Sequence, residues 1–304
     1  MFCDVRAHER RPGRLYSSPM HESAGQQRVK VEEYVIEPGS GEYIVVDGIR
    51  TYYVHRGSGP AVVLLHGQPP GASVHVIWDR NIDFMADAGF SVFAFDSVGF
   101  GRTDNAADFS RERRVAHARA FIDAMGLNRY SMWGMSDGSN LACRIALQDP
   151  KVERLVLMAS GSLSPRPPGV SPELVRQQAA TRASYTPSLE NARAYLQESL
   201  VNKAAITDEL VEEMYAMSAG KNYEAFQARA RLPEMPPIYD ELKKLTVPAL
   251  LLWGRNDNGG VERGLLLFEK IPGAELHVFD NCGHWVEIDQ TDRVNRLVRD
   301  FLRG

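Results

Sequence analysis

Short apolar runs recur along the chain, and each ends at a glycine or a polar residue. The run AVVLL at 61–65 is apolar at every position, which indicates a strand buried on both faces of a parallel sheet. The segment 42–54 instead holds two β-rich runs around Asp47-Gly48, which predicts a hairpin turn. Further strands are predicted at 90–95, 130–133, 155–158, 248–253 and 276–279.

Helical patterns alternate with these strands and are clearest at 115–125, 140–148 and 291–302. The alternation predicts an α/β fold with a mostly parallel, doubly wound sheet, whose sites lie beyond the C-terminal ends of the strands. The stretch 162–237 interrupts it with loop-forming and polar helical sequence, so we interpret it as an inserted helical cap. The predicted core is then 29–161 and 238–304, and residues 1–28 are a polar tail.

Composition narrows the class of partner. The chain has 304 residues, a net charge of -4 and three cysteines. The slightly acidic balance gives no reason to expect a nucleic acid or an anionic membrane as partner, and no apolar run reaches the roughly 20 residues of a membrane helix. We expect a small-molecule substrate and a cytoplasmic location, since the cysteines are too few for a disulfide framework.

The pentapeptide 134–138 matches Gly-x-Ser-x-Gly, with Ser136 at its centre. It follows one predicted strand and opens a predicted helix, which is the setting of a nucleophile elbow. Glycine is needed on both sides because the turn is tight and its flanking positions have no room for side chains. Ser136 is therefore the candidate nucleophile.

His284 is the candidate general base, because it follows a predicted strand and lies after the serine in the chain. Asp257 lies in WGRNDN, in the loop that begins at the end of the strand 248–253, and is the candidate acid that orients His284. The order Ser136, Asp257, His284 is that of α/β-hydrolases. Asp96 and Asp280 are rivals at other strand ends, but one precedes the serine and the other is very close to His284 in sequence.

Two backbone amides are candidates for the oxyanion hole: that of Asp137, after the nucleophile, and that of Gln68, in the loop after AVVLL. His66 opens this loop, and we expect it to shape it. The Asp137 carboxylate either accepts hydrogen bonds from amides in the first turn of its helix, which we favour, or faces the substrate and disfavours anions. No metal-ligand spacing and no dinucleotide fingerprint are present, so we expect neither a metal nor a cofactor.

The segments HGQPPGAS, GFSVFAFDSVGFGRTD, GMSDGS, WGRNDN and LHVFDNCGHW together resemble the α/β-hydrolase superfamily from about residue 40 onward. The spacing of HGQPPGAS and the stretch from WGRNDN to the end are similar to meta-cleavage product hydrolases and related carboxylesterases. Meta-cleavage product hydrolases cut carbon–carbon bonds in ring-fission products of aromatic catabolism. The resemblance implies an eight-stranded sheet with helices on both faces, a helical lid, and a homodimer or higher homo-oligomer.

Departures from that family fall in the predicted substrate pocket. Met135 stands where the family carries an Asn, and Ile77 stands where it carries a second Asn in the pocket. Met214 aligns near the position of the family's lid arginine, which engages the substrate carboxylate. Trp285, after the base, is kept, and His75 is placed to reach the pocket. Losing polar partners disfavours a carboxylate in this pocket by a few kcal/mol.

Three functions are compatible with these residues. The first is a serine hydrolase that cleaves a small, apolar or aromatic ester, or a related carbonyl compound, through an acyl-enzyme or tetrahedral intermediate. The second is a carbon–carbon hydrolase of a vinylogous diketone acid that uses the same three residues. The third is a non-catalytic ligand-binding protein on a hydrolase scaffold. We favour the first hypothesis, because the pocket departures remove polar groups.

Overall fold

Eight strands form one sheet in the part of the chain that the computed structural model describes: residues 41–166, Glu173, 184–232 and 237–304. Their order is β1-β2-β4-β3-β5-β6-β7-β8. The pairs from β4 to β8 are parallel, whereas β1 and β2 are antiparallel, so the mostly parallel sheet is confirmed. The strands are β1 (Glu42–Val46), β2 (Ile49–Arg56), β3 (Ala61–Leu65), β4 (Ser91–Phe95), β5 (Tyr130–Met135), β6 (Val152–Met158), β7 (Ala249–Gly254) and β8 (Ala274–Phe279).

The predicted hairpin joins β1 to β2. Asp47 and Gly48 both have positive φ, 49° and 76°, and Val46 pairs with Ile49 across the two-residue turn. Such a turn twists in the sense that antiparallel strands require, and Asp-Gly tolerates its backbone angles.

Nine α-helices are described: α1 (Val74–Asp87), α2 (Arg111–Ala124), α3 (Asp137–Ala146), α4 (Leu189–Ser199), α5 (Asp208–Ser218), α6 (Lys221–Ala230), α7 (Val261–Lys270), α8 (Val286–Asp289) and α9 (Thr291–Arg303). Hydroxyl side chains that accept a backbone N–H cap α1, α2, α4 and α5. The cap Ser110 starts α2 at Arg111, four residues before the apolar pattern predicted. The helices α1 and α7 were not predicted individually.

The sheet separates two apolar cores, because successive strand residues point to opposite faces. Val62 and Leu64 of β3 pack into one core with α1, α8 and α9. Val63 and Leu65 pack into the other with α2, α3 and α7. The apolar run of β3 is therefore explained by helices on both faces.

The helices α4, α5 and α6 lie between β6 and β7, inside the stretch 162–237 that was predicted to be a cap. Leu196 of α4 and Met214 of α5 belong to the same apolar core as α1. The predicted tail 1–28 and the core residues 29–40 lie outside the described residues, as do 167–172, 174–183 and 233–236 of the predicted cap. None of the described helices is long and apolar enough to cross a membrane.

Candidate active site

Ser136 lies between β5 and α3 with φ 52° and ψ -116°, a backbone conformation that is strained for any residue with a side chain. The residues two positions before and two positions after it must be glycines. A Cβ on Gly138 would lie 1.9 Å from the carbonyl oxygen of Leu65, and one on Gly134 would lie 2.5 Å from the backbone nitrogen of Ser139. The Ser136 N–H donates to the carbonyl of Met158, 2.8 Å away, which fixes the turn against β6. The geometry is that of a nucleophile elbow.

The imidazole of His284 bonds to the carboxylate of Asp257, with 3.1 Å between Nδ1 and Oδ1. The Asp257 side chain is buried, whereas that of His284 is about one-third exposed. Burial raises the pKa of the Asp257 carboxyl, but the His284 charge and hydrogen bonds outweigh it and hold that pKa below its usual value. Asp257 is therefore an ionised partner that orients the ring.

The two rival carboxylates have other partners. Asp96 accepts backbone N–H groups from Val74 and Arg102 at 2.6 and 2.7 Å, and burial raises its pKa to about 6. Asp280 is exposed and pairs with Arg255. The structure therefore places Asp257, rather than either rival, against His284.

Ser136, Asp257 and His284 follow the C-terminal ends of β5, β7 and β8, which lie along one edge of the parallel sheet. The His284 loop is held there by Asp289, whose carboxylate accepts the N–H of Gly283 at 2.6 Å. The same carboxylate accepts the N–H of Asn202 at 2.7 Å, just after α4. His284 is thus connected to the segment predicted to be a cap.

The Asp137 side chain is buried between α2 and α3. Its Oδ1 lies 2.8 Å from Nε of Arg111, and its Oδ2 bonds to Nη1 of Arg114. Burial alone raises the pKa of this carboxyl, but the two guanidinium charges outweigh burial and lower it. Among the described residues this carboxylate bonds to two arginines, so the expected capping role is wrong. The physical reason is that opposite charges stabilise a buried charge more than neutral amides do.

The loop after β3 lies against Ser136. A Cβ on Gly67 would lie 3.1 Å from Cβ of Ser136 and 2.9 Å from the sulfur of Met135, so this position accepts only glycine without a shift. The next residue, Gln68, is exposed. The amides of Gln68 and Asp137 thus belong to the two backbone segments that border Ser136, as an oxyanion hole requires.

The predicted pocket residues lie on several elements. Ile77, Met135, Met214 and Trp285 are buried members of one apolar core. His75 instead bonds to the Tyr52 hydroxyl at 2.7 Å and to Asp79 at 2.8 Å. Substrate contact by these five residues remains a prediction.

Within the described ranges, no cluster of three or more His, Cys, Asp or Glu side chains could hold a metal ion. The chemistry open to this edge of the sheet is acyl transfer by a hydroxyl, an imidazole and a carboxylate.

A model of the α/β hydrolase fold family matches residues 60–291. This chain belongs to the α/β-hydrolase family. It is 33% identical over 283 residues to a 2-hydroxy-6-oxononadienedioate/2-hydroxy-6-oxononatrienedioate hydrolase of Burkholderia vietnamiensis, covering 88% of this chain and 97% of that relative. It is 34% identical to a 2-hydroxy-6-oxo-6-phenylhexa-2,4-dienoate hydrolase of Comamonas testosteroni, covering 83% of this chain and 91% of that relative.

Solved structures show the same likeness. A meta-cleavage product hydrolase from Pseudomonas fluorescens IP01 (CumD) superposes with a TM-score of 0.76 and 34% identity, covering 87% of this chain and 98% of that chain. The predicted fold, the hydrolase class and the similarity to meta-cleavage product hydrolases are thereby confirmed.

Sequence reasoning missed the residues behind the oxyanion loop. Arginine usually lies at the surface, and nothing in the sequence indicates that Arg111 and Arg114 of α2 bond to the carboxylate of Asp137. Ser97 also gave no signal, although its N–H donates to His66. Only the packing of α2 against α3, and of Phe121 in α2 against Phe95 at the end of β4, brings these residues together.

Proposed function

We propose that this hydrolase cleaves a carbon–carbon bond in a vinylogous diketone acid, the ring-fission product of an aromatic compound. The observation that carries the proposal is the Asp257–His284 pair, which lies at the same sheet edge as Ser136. The chain is also about one-third identical to hydrolases that are named for oxo-dienoate substrates. The sequence-based preference for an ester substrate takes second place, because the relatives are named as hydrolases of an oxo-dienedioate and of a meta-cleavage product.

Each predicted residue has one role in this proposal. The Ser136 hydroxyl attacks the ketone carbon while His284 takes its proton, and the amides of Gln68 and Asp137 stabilise the oxyanion. The carbon–carbon bond then breaks, its electron pair delocalises into the conjugated oxo acid, and His284 returns the proton to that fragment. Water activated by His284 hydrolyses the acyl-enzyme and releases the second acid.

Ester hydrolysis is the second candidate, and a specific observation favours it. Ile77, Met135 and Met214 are apolar and buried, at positions where the family resemblance expects polar substrate contacts. An apolar pocket fits a neutral ester better than the carboxylate of a diketone acid, because a buried carboxylate without a partner is costly. A small-molecule substrate, the absence of a cofactor, a cytoplasmic location and a homo-oligomer remain predictions.

A side-by-side assay decides between the candidates. Purified protein is given a coloured ring-fission product and a series of p-nitrophenyl esters, with the Ser136→Ala variant as control. We expect kcat/KM to be about 100-fold or more higher on the ring-fission product, and the Ser136→Ala variant to keep its fold and lose turnover. Faster ester turnover reverses the order of the two candidates. Full activity of Ser136→Ala, or no labelling of Ser136 by an organophosphate, refutes the nucleophile.

A further inference from the structure

The ring of His66 makes two hydrogen bonds inside the protein, where only 2% of the residue is exposed. Its Nε2 accepts the backbone N–H of Ser97 at 3.0 Å, so this nitrogen carries no proton. The proton of the neutral ring is therefore on Nδ1, which donates to the carbonyl oxygen of Gly67 at 2.6 Å. The surroundings of His66 thus select one tautomer.

The carbonyl held by His66 belongs to the peptide unit that carries the N–H of Gln68. A peptide unit is planar, so a bond that fixes its oxygen also fixes the direction of its N–H. The same unit starts at Gly67, which lies against Ser136. His66 consequently controls the direction of one predicted oxyanion donor without touching the reacting atoms.

The hydrogen bonds continue from Ser97 to the other predicted donor. The Ser97 hydroxyl accepts Nε–H of Arg114 at 3.2 Å, and Arg114 pairs with the carboxylate of Asp137. Ser97, Arg114 and Asp137 are all at least 95% buried. One buried chain therefore joins the Gly67–Gln68 peptide to Asp137, whose own N–H is the second donor.

We propose that this chain holds the two oxyanion amides in one fixed relative geometry, with His66 as the positioning residue for Gln68 and Arg114 as the positioning residue for Asp137. The proposal rests on the proposed role of Ser136. Burial, together with the charge of Arg114, lowers the pKa of His66 to about 3. The ring therefore stays neutral, with an unchanged tautomer, at neutral pH.

Two substitutions separate the two nitrogens of His66. Asparagine places an amide N–H near the position of Nδ1 and can still donate to Gly67. Glutamine places an oxygen near Nε2 and can still accept from Ser97, but leaves the Gly67 carbonyl free to turn. We expect His66→Gln to lower kcat by about 10- to 100-fold, with KM changed less than about threefold. His66→Asn keeps the bond to Gly67 but breaks the chain at Ser97, so we expect it to lower kcat by no more than about tenfold, less than His66→Gln does.

A matched control is available at His117, which is also fully buried and bonds through its two nitrogens to the Thr51 hydroxyl and to the N–H of Val98. His117→Gln should lower the urea midpoint as His66→Gln does and leave kcat unchanged. If the His66 variants do not fold, Ser97→Ala removes the hydroxyl between Arg114 and His66 and keeps the backbone N–H. We expect Ser97→Ala to lower kcat by about tenfold.

The outcomes distinguish this inference from the proposed function. If Ser136→Ala stays active, the proposed function fails, whatever the His66 variants do. If turnover requires Ser136 but His66→Gln retains wild-type kcat, the positioning role is wrong. Equal losses of kcat in His66→Asn and His66→Gln, tracking their losses of stability, also overturn it. A loss of kcat in His66→Gln that is clearly larger than the loss in His66→Asn, with His117→Gln fully active, supports it.

Discussion

The Nδ1 atom of His284 lies 3.1 Å from the carboxylate of Asp257, although the two residues are 27 positions apart in the chain. The second carboxylate oxygen of Asp257 is buried and makes no hydrogen bond among the described residues. The oxygen that faces His284 also accepts the N–H of Gly259 at 2.9 Å, so the carboxylate is held by this amide as well as by the imidazole. An imidazolium formed during turnover would be stabilised by this buried charge.

Asp257→Asn tests that relationship. An amide keeps the size of the side chain, loses the charge and can donate to Nδ1, which favours the wrong tautomer of His284. We expect kcat to fall by about 10³- to 10⁴-fold, with an unchanged circular dichroism spectrum. Asp280→Asn is the control, because Asp280 is an exposed strand-end carboxylate paired with Arg255. Similar losses from both variants would contradict the assignment of Asp257.

Glu287→Gln tests a buried acid one turn beyond His284. Glu287 is fully buried, and neither carboxyl oxygen has a hydrogen-bond partner in the described part of the chain. Burial raises its pKa from 4.5 to about 8, against the lowering effect of the His284 and Arg80 charges. In the folded protein at neutral pH it therefore keeps its proton, whereas in the unfolded chain it loses it.

The sign of the pH effect follows from this difference. The contribution of Glu287 to stability is fully present below pH 4.5 and is lost as pH rises towards about 8. Glutamine does not titrate, so the stability of Glu287→Gln relative to the wild type should rise by about 1.4 kcal/mol per pH unit between pH 5 and 7. Urea unfolding of both proteins at several pH values measures this difference in the free energy of unfolding. Parallel stability profiles for the two proteins would show that the carboxyl is ionised when folded.

The ion pair between Arg102 and Glu213 links the loop after β4 to α5 through two bonds of 2.7 and 3.1 Å. Both side chains are mostly buried. Removing one partner leaves a buried charge unpaired, so Arg102→Met should destabilise the fold by about 3 kcal/mol. The double variant Arg102→Met/Glu213→Met has no unpaired charge at this pair and should be more stable than Arg102→Met alone. Arg129→Met is the control, since the Arg129 side chain is 82% exposed and its pair with Glu153 should contribute less than about 1 kcal/mol. Additive losses in the urea unfolding cycle would refute the coupling.

Gly67→Ala tests the contact between the oxyanion loop and the nucleophile. The added methyl group would lie 3.1 Å from Cβ of Ser136, closer than the loop can accommodate without moving away. We expect kcat to fall by about tenfold or more, while overpacking lowers stability by about 1–3 kcal/mol. Steady-state kinetics and urea unfolding measure the two effects. Wild-type kcat in Gly67→Ala would mean that this loop does not border the reacting carbonyl.

Local sequence determined the elements and the chemical candidates. The run of β3 is apolar at each position because it is covered on both faces, so its bounds were predicted as observed. The elbow around Ser136 was equally visible, because a turn this tight requires glycine at Gly134 and Gly138. Asp47-Gly48 marked the hairpin for the same kind of reason, a positive φ that few residues tolerate.

Partners far apart in the chain were decided only by the tertiary structure. Nothing in the sequence around Asp137 shows that its carboxylate bonds to Arg111 and Arg114, and the predicted capping role was wrong for that reason. The bond from His66 to Gly67 is local, but the tautomer that permits it is selected by Ser97, which β4 positions. Backbone conformation is set by neighbouring residues and could be predicted, whereas the partner of a buried charge depends on which helix packs beside it.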